Sequence, residues 1–264
     1  MTTLFLRNRT VAVEIDGEGQ PVVCIHGLGG STNSWTPVLA AFEGKQVIRV
    51  DLPGSGRSGP SDKRASIDLY VQTVEDVLSE LGIDSDVHIV AHSMGTIVAQ
   101  HIAVRRPKLV KSLALFGPLT APPEQARAGI RSRAALCREK GIAGLQEIAD
   151  AVVTAATSGD TKAHLPVAVA MVRESVMRQP VEGYAQGCEA LADAQAAAIE
   201  QIAVPTLLVT GDEDGIGQPT KVKDLGERIP HGTVRVLTGC GHWPTFESPA
   251  SCTAELRQFY KGLE

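Results

Sequence analysis

The sequence predicts an α/β fold, with a mostly parallel central sheet flanked by helices and a helical segment inserted into it. Three observations predict it. Short β-branched runs, each followed by turn residues, recur along the 264 residues, and helical patterns lie between them. The alternation stops once, between about residues 118 and 204, where the patterns are helical and rich in alanine. Strand and helix in alternation imply a parallel sheet, and continuous apolar runs imply strands covered on both faces.

In chain order, the runs are Val11 to Ile15, then Val22 to Ile25, which leads into "HGLGGSTNSW", then Val47 to Val50, which leads into "DLPGSGRS" at 51–58. A helix follows over Leu69 to Leu81, with apolar residues at 69, 71, 74, 77, 78 and 81. Val87 to Ala91 is the next strand and Gly95 to Arg105 the next helix, ended by Pro107. After the strand Leu113 to Phe116, Pro118, Pro122 and Pro123 open the insertion, and Pro205 closes it ahead of the strands Leu207 to Val209 and Val234 to Leu237. Residues 1–117 and 205–264 are therefore expected to form the core, and residues 118–204 a helical lid over the strand ends.

Composition is ordinary, at 43% hydrophobic and 21% charged, with a formal net charge of -5. That balance gives no support for nucleic acid or an anionic membrane as partner. No apolar run approaches the roughly 18 residues of a membrane span, and the N-terminus lacks an apolar core with a small-residue cleavage site. The five cysteines, Cys24, Cys137, Cys188, Cys240 and Cys252, are odd in number and lack CxxC spacing, which fits a reduced cytoplasm. A soluble, cytoplasmic protein is expected.

"AHSMG", residues 91–95, matches G-x-S-x-G with Ala91 at the first glycine, between a predicted strand and a predicted helix. A serine in such an elbow sits in a strained turn, so its flanks must be small, as Ala91 and Gly95 are. Gly95, Ala99 and Ala103 leave a small-residue stripe on which the helix can approach the sheet. Ser93 is thus a candidate nucleophile, against the plainer reading of a helix-capping serine.

His242, in the loop "TGCGHWPTFESP" after the last predicted strand, is the candidate base, because a neutral imidazole takes up and returns a proton near neutral pH. His88, His101, His164 and His231 read as structural or solvated, His26 as a holder of its loop, and no metal-binding spacing appears. The acid is expected between Ser93 and His242 in the chain, and "GDED" supplies it: Asp214 is the choice, with Asp212 bonding within its turn. In "HGLGG" the backbone N–H of Leu28, together with that of Met94, is expected to bind a developing oxyanion. Trp35 is expected to pack beneath this loop, and Cys240 to be inert. No cofactor is expected.

The segments "HGLGG", "DLPGSGRS", "AHSMG", "GDED" and "GHWPTFESP" resemble, in order and spacing and over nearly the whole chain, those of the α/β-hydrolase superfamily. The resemblance implies the α/β-hydrolase fold, places Ser93, Asp214 and His242 at the triad positions, and makes residues from about 118 to 200 the variable lid. Within the superfamily, "EGYAQGCEALADAQ", residues 182–195, is similar to the end of the lid in bacterial 3-oxoadipate enol-lactonases. This implies a small ester or lactone substrate, in that branch one bearing a free carboxylate. The insertion departs from that branch in having no tryptophan, where an aromatic anchor usually stands beside an arginine. Arg127, Arg131 and Arg138 share a helical face that could meet an anion or be a solvated surface. Val167, Val169, Met171 and Val172 suggest an apolar underside to the lid.

A serine at the elbow argues against dehalogenase and epoxide hydrolase chemistry, which in related proteins uses a carboxylate there. Three alternatives share the same residues: a carbon-carbon bond hydrolase of a ring-cleavage product, a cofactor-free perhydrolase, and a hydrolase-like small-molecule receptor. The first is disfavoured by "GLGGST", where such relatives usually carry a proline.

Overall fold

The computed structural model describes residues 2–7, 9–60 and 64–263. Its eight strands form one sheet: β1 (Thr2–Leu6), β2 (Arg9–Asp16), β3 (Gln20–Ile25), β4 (Lys45–Val50), β5 (Val87–His92), β6 (Val110–Phe116), β7 (Thr206–Gly211) and β8 (Gly232–Leu237), in the order β1-β2-β4-β3-β5-β6-β7-β8. β1 and β2 pair antiparallel, and β2 pairs antiparallel with β4; from β4 through β3 to β8 every pairing is parallel.

The period of two along each strand sorts its residues onto two faces. Val23, Ile25, Ile89, Ala91, Leu113, Leu115 and Leu208 share a core with helices α1 (Ile67–Glu80) and α2 (Met94–Arg105). Their neighbours Val22, Cys24, Val90, Ala114, Phe116 and Leu207 pack instead on Trp35 and Val38 of a 3-10 segment, Thr32–Phe42, and on Leu256 and Tyr260 near the C-terminus. Ser66 starts α1, its hydroxyl accepting the Leu69 N–H at 3.1 Å. α2 lies almost wholly buried. A Cβ on Gly95 would come within 2.5 Å of the His26 carbonyl oxygen, so only glycine allows this approach to β3.

Between β6 and β7 run five helices, α3 (Glu124–Lys140), α4 (Ile142–Ala156), α5 (Gly159–His164), α6 (Pro166–Met177) and α7 (Val181–Ala192). All but α5 share a third core, which includes Cys137, Leu145, Val172 and Tyr184 and extends to Trp243 and Phe246 beyond β8. The helical segment therefore sits where parallel strands end. Its underside differs from the expected one. Ala168, Val172 and Val176, spaced by four on α6, are buried, whereas Val167 is 74% exposed and Met171 also faces outward, because one step along a helix turns a side chain by about 100°. After β7 come α8 (Pro219–Arg228), α9 (Pro244–Glu247) and α10 (Pro249–Lys261). Among the described residues no helix is long and apolar enough to cross a membrane.

Candidate active site

The C-terminal ends of β3, β5, β7 and β8 converge on one edge, where ligands of open parallel sheets commonly bind. At the end of β5, Ser93 has φ 51° and ψ -122°, a left-handed conformation costing a serine about 1–3 kcal/mol. The surroundings enforce it. The Ser93 N–H donates to the Phe116 carbonyl at 2.9 Å, and the Ser93 carbonyl accepts the Thr96 N–H at 2.8 Å and the Thr96 hydroxyl at 2.6 Å. The turn lifts the side chain clear of the sheet.

Nε2 of His242 lies 2.8 Å from the Ser93 hydroxyl, and Nδ1 lies 2.8 Å from Oδ2 of Asp214. All three residues are buried. A carboxylate on Nδ1 keeps the ring proton there and leaves Nε2 bare toward the hydroxyl. Oδ1 of Asp214 accepts the N–H groups of Ile216 at 2.8 Å and Gly217 at 2.7 Å. Burial pushes the Asp214 carboxyl up, but His242 and these two N–H donors outweigh it and hold the group below its ordinary range. Gly117, at the end of β6, leaves room for the ring: a Cβ there would fall 3.0 Å from its Nδ1 and Cε1. Asp212 instead accepts the Cys240 N–H at 3.2 Å, so its side chain bonds across to the loop after β8 and not within its own turn as expected.

Two residues that the sequence did not single out hold the His242 loop. Glu247 is buried; its Oε2 accepts the Gly241 N–H at 2.9 Å, and its Oε1 accepts the Trp243 N–H at 2.8 Å, one on each side of His242. The same carboxylate accepts the Ser158 N–H and the Thr161 hydroxyl from the helical segment. His92 donates from Nε2 to the His242 carbonyl at 2.7 Å, with its ring 5.1 Å from that of His242 and 5.2 Å from that of Trp243. Burial, reinforced by the nearby His242, lowers His92 to about 3, so it is a neutral donor.

His26 holds the neighbouring loop. Its Nδ1–H donates to the Gly27 carbonyl at 2.8 Å, and its Nε2 accepts the Leu52 N–H at 3.0 Å. Within one trans peptide the C=O and N–H point oppositely, so fixing the Gly27 oxygen also fixes the direction of the Leu28 N–H. Among the described residues no protein acceptor takes the N–H of Leu28 or that of Met94. Trp35 packs beneath, edge-on to Phe116 at 6.1 Å between ring centroids. Cys240 is buried, and burial raises its thiol well above the usual range.

The buried histidines make stability depend on pH. Burial lowers His26, His88 to about 4 and His92 to about 3, from an ordinary 6.5. Below 6.5 the unfolded chain therefore takes up protons that the folded one refuses, and stability falls as pH drops. Urea unfolding between pH 6 and 5 should show a loss of about 1 kcal/mol per pH unit for each of His88 and His92, with His26 adding in the same direction. His88→Asn, remote from Ser93, should flatten the slope by about one such share; an unchanged slope would mean that His88 takes up no extra proton on unfolding.

Ser93 and His242 open into a cavity of about 490 Å³ whose wall is mainly apolar, including Leu28, Leu119, Ile130 and Val176. Among its lining residues Arg133 and Lys221 are cationic, and none is a carboxylate. The three arginines considered from the sequence do not line it. Arg127 bonds the carbonyls of Ala192 and Ala194, Arg131 pairs with Asp193, and Arg138 pairs with Glu182 at 2.7 Å and Glu189 at 2.5 Å, so all three tie α3 to the α7 end of the segment. Arg133 belongs to another stripe of α3, with Ala126 and Ile130, whose spacing of four and three is the signal that marks this face. Among the described residues no cluster of three or more His, Cys, Asp or Glu is placed to hold a metal ion.

The chain is similar to the (E)-2-((N-methylformamido)methylene)succinate hydrolase of Acinetobacter baylyi, 26% identical over 247 residues, 92% of this chain and 90% of that protein. In structure it is similar to an esterase from Thermogutta terrifontis, with a TM-score of 0.91 at 23% identity over 97% of this chain and 94% of the other. It is likewise similar to the enol-lactonase from Burkholderia xenovorans LB400, with a TM-score of 0.89 at 24% identity over 98% of this chain and 100% of the other. The sequence profile of the alpha/beta hydrolase family matches residues 22–255. The chain belongs to the alpha/beta hydrolase family.

Proposed function

We propose that the protein is a serine hydrolase that cleaves a small carboxylic ester or lactone through an acyl-enzyme on Ser93. The observation that supports this most is the unbroken line of hydrogen bonds from Asp214 through His242 to the Ser93 hydroxyl, 2.8 Å at each of its two links, opening into a mainly apolar cavity. In this reading His242 Nε2 takes the hydroxyl proton as Oγ bonds to the substrate carbonyl carbon. The carbonyl oxygen becomes an alkoxide held by the N–H groups of Leu28 and Met94. As the C–O bond breaks, the imidazolium returns the proton to the departing oxygen, which leaves as an alcohol or, from a lactone, stays tethered as a hydroxyl. Water, deprotonated by the same imidazole, then releases the acid and restores Ser93. Asp214 keeps the ring in the required tautomer and balances its charge.

The helical segment acts as the lid, supplying Ile130, Arg133 and Val176 to the cavity wall. Two cations against no carboxylate in that wall favour a substrate carrying a negative charge of its own. The A. baylyi relative is named for a substituted succinate, which is consistent with that preference.

The test is covalent labelling. An alkyl fluorophosphonate should add one phosphonyl group to the peptide containing Ser93, read by mass spectrometry, and hydrolysis of p-nitrophenyl acetate should be lost in proportion. Labelling elsewhere, or full labelling with activity retained, would remove Ser93 as nucleophile. Neutral and carboxylated esters and lactones, screened side by side, then rank the substrates.

A further inference from the structure

We infer that Gln179, in the turn between α6 and α7, is a positioning residue for the loop that carries the Leu28 N–H, so that the helical segment completes the oxyanion site as well as covering it. This rests on the hydrolase reading above. The side chain is 6% exposed, and every hydrogen-bonding atom of its amide is used. Nε2 donates to the carbonyls of Gly29 and Gly30, both at 3.1 Å, and to that of Ser175 at 2.8 Å; Oε1 accepts the Gly56 N–H at 3.2 Å. Two N–H bonds serve three acceptors, so one is shared. The Ser175 hydroxyl adds a second donor to the Gly29 carbonyl, at 2.7 Å.

These bonds fall on backbone that side-chain sterics alone would not hold in place. Gly29 has φ +77°, and a Cβ there would meet Val176 Cγ2 at 3.0 Å, so the loop passes close under α6 in a conformation that glycine permits and does not impose. On the other side of Leu28, His26 fixes the Gly27 carbonyl. The Leu28 peptide therefore lies between two anchored points, one held by the sheet and one by the helical segment. Gly183 shows how closely that segment seats: its Cα approaches Gly54 until a Cβ would lie 1.9 Å from the Gly54 oxygen. Gln179 bridges the two core loops beneath it, donating to residues 29 and 30 and accepting from residue 56.

A residue that merely stabilised the fold would, when replaced, lower the melting temperature and leave turnover per folded molecule intact. A residue that orients an oxyanion donor acts on the transition state and on its mimics. Gln179→Met keeps the length and removes the amide. It should lower kcat for p-nitrophenyl acetate at least about tenfold while KM moves less than about threefold, since loss of one oxyanion donor costs about 10² to 10³ and displacement somewhat less. Affinity for an alkyl trifluoromethyl ketone, whose oxygen becomes an alkoxide when Ser93 adds to it, should fall by the same factor as kcat. Gln179→Glu sets a carboxylate against three carbonyls and should lose more than Gln179→Met. Retention of kcat and ketone affinity within about threefold in Q179M overturns the inference, as does a fall in kcat that ketone affinity does not follow. If Q179M does not melt cooperatively, Ser175→Ala decides: a fall of at least about threefold in both quantities supports the inference, and no change overturns it. Failure of the wider reading is separately visible, because the wild-type protein would then show no ester turnover and no label on Ser93.

Discussion

Ser93→Ala is expected to lower kcat/KM for p-nitrophenyl acetate by about 10⁴-fold or more, with the melting transition unchanged to within about 1 kcal/mol. The two halves of this expectation have different causes. The turn at residue 93 is held through its backbone, by the bond to the Phe116 carbonyl and the two bonds from Thr96, none of which uses the Ser93 hydroxyl. Alanine has no better access to φ 51° than serine, so the strain stays and stability changes little. The rest of the cavity wall is also unaltered, so the ester should still bind. What is lost is the covalent route, and the remaining donors can only assist attack by water, which leaves a small residual rate. Near-native activity in purified S93A would require another nucleophile and end the proposal.

What could be seen in the sequence depended on whether a residue's partners leave a mark in the chain. β5, β6 and β7 are buried on both faces and so read as continuous apolar runs. β1 is an edge strand with Phe5 72% exposed; its apolar run is only Leu4 to Leu6, set among polar residues, and the sequence reading does not place it. α8 and α10 were likewise unplaced, while α2 could be located by the residues at its ends although it lacks a polar face. In the site, Ser93, Asp214 and His242 each follow a strand end in a distinctive local peptide, and the structure brings the three together. Arg133 was missed because three other arginines spaced by four and seven made a more obvious stripe, which the fold turns toward α7. Gln179, Glu247 and His92 act on backbone carbonyls and N–H groups. Every residue carries those, so nothing in the partner's identity announces the contact.

Asp214→Asn should lower kcat by about 10⁴-fold at neutral pH with KM little changed, whereas Asp212→Asn should cost less than about threefold. The substitutions are chemically identical and two residues apart, so composition and charge cannot explain a difference between them. At 212 the side chain accepts one N–H, from Cys240, in an exposed turn, and an asparagine oxygen can do the same. At 214 an asparagine oxygen can still take the N–H groups of Ile216 and Gly217, and this turns its NH₂ toward Nδ1 of His242. A donor facing Nδ1 drives the ring proton to Nε2, where it points at the Ser93 hydroxyl and blocks proton uptake. Stability should separate the pair as well. Burial pushes the Asp214 carboxyl up, but His242 and the two N–H donors together hold it below 3.8, so the stability it contributes is present above that value and is lost as pH falls through the folded value. D214N should therefore be less stable than the wild type at pH 7, with the gap closing in acid as the wild-type carboxylate takes up its proton. Equal kinetic losses at 212 and 214 would detach the acid role from Asp214, even though its carboxylate stands 2.8 Å from the ring.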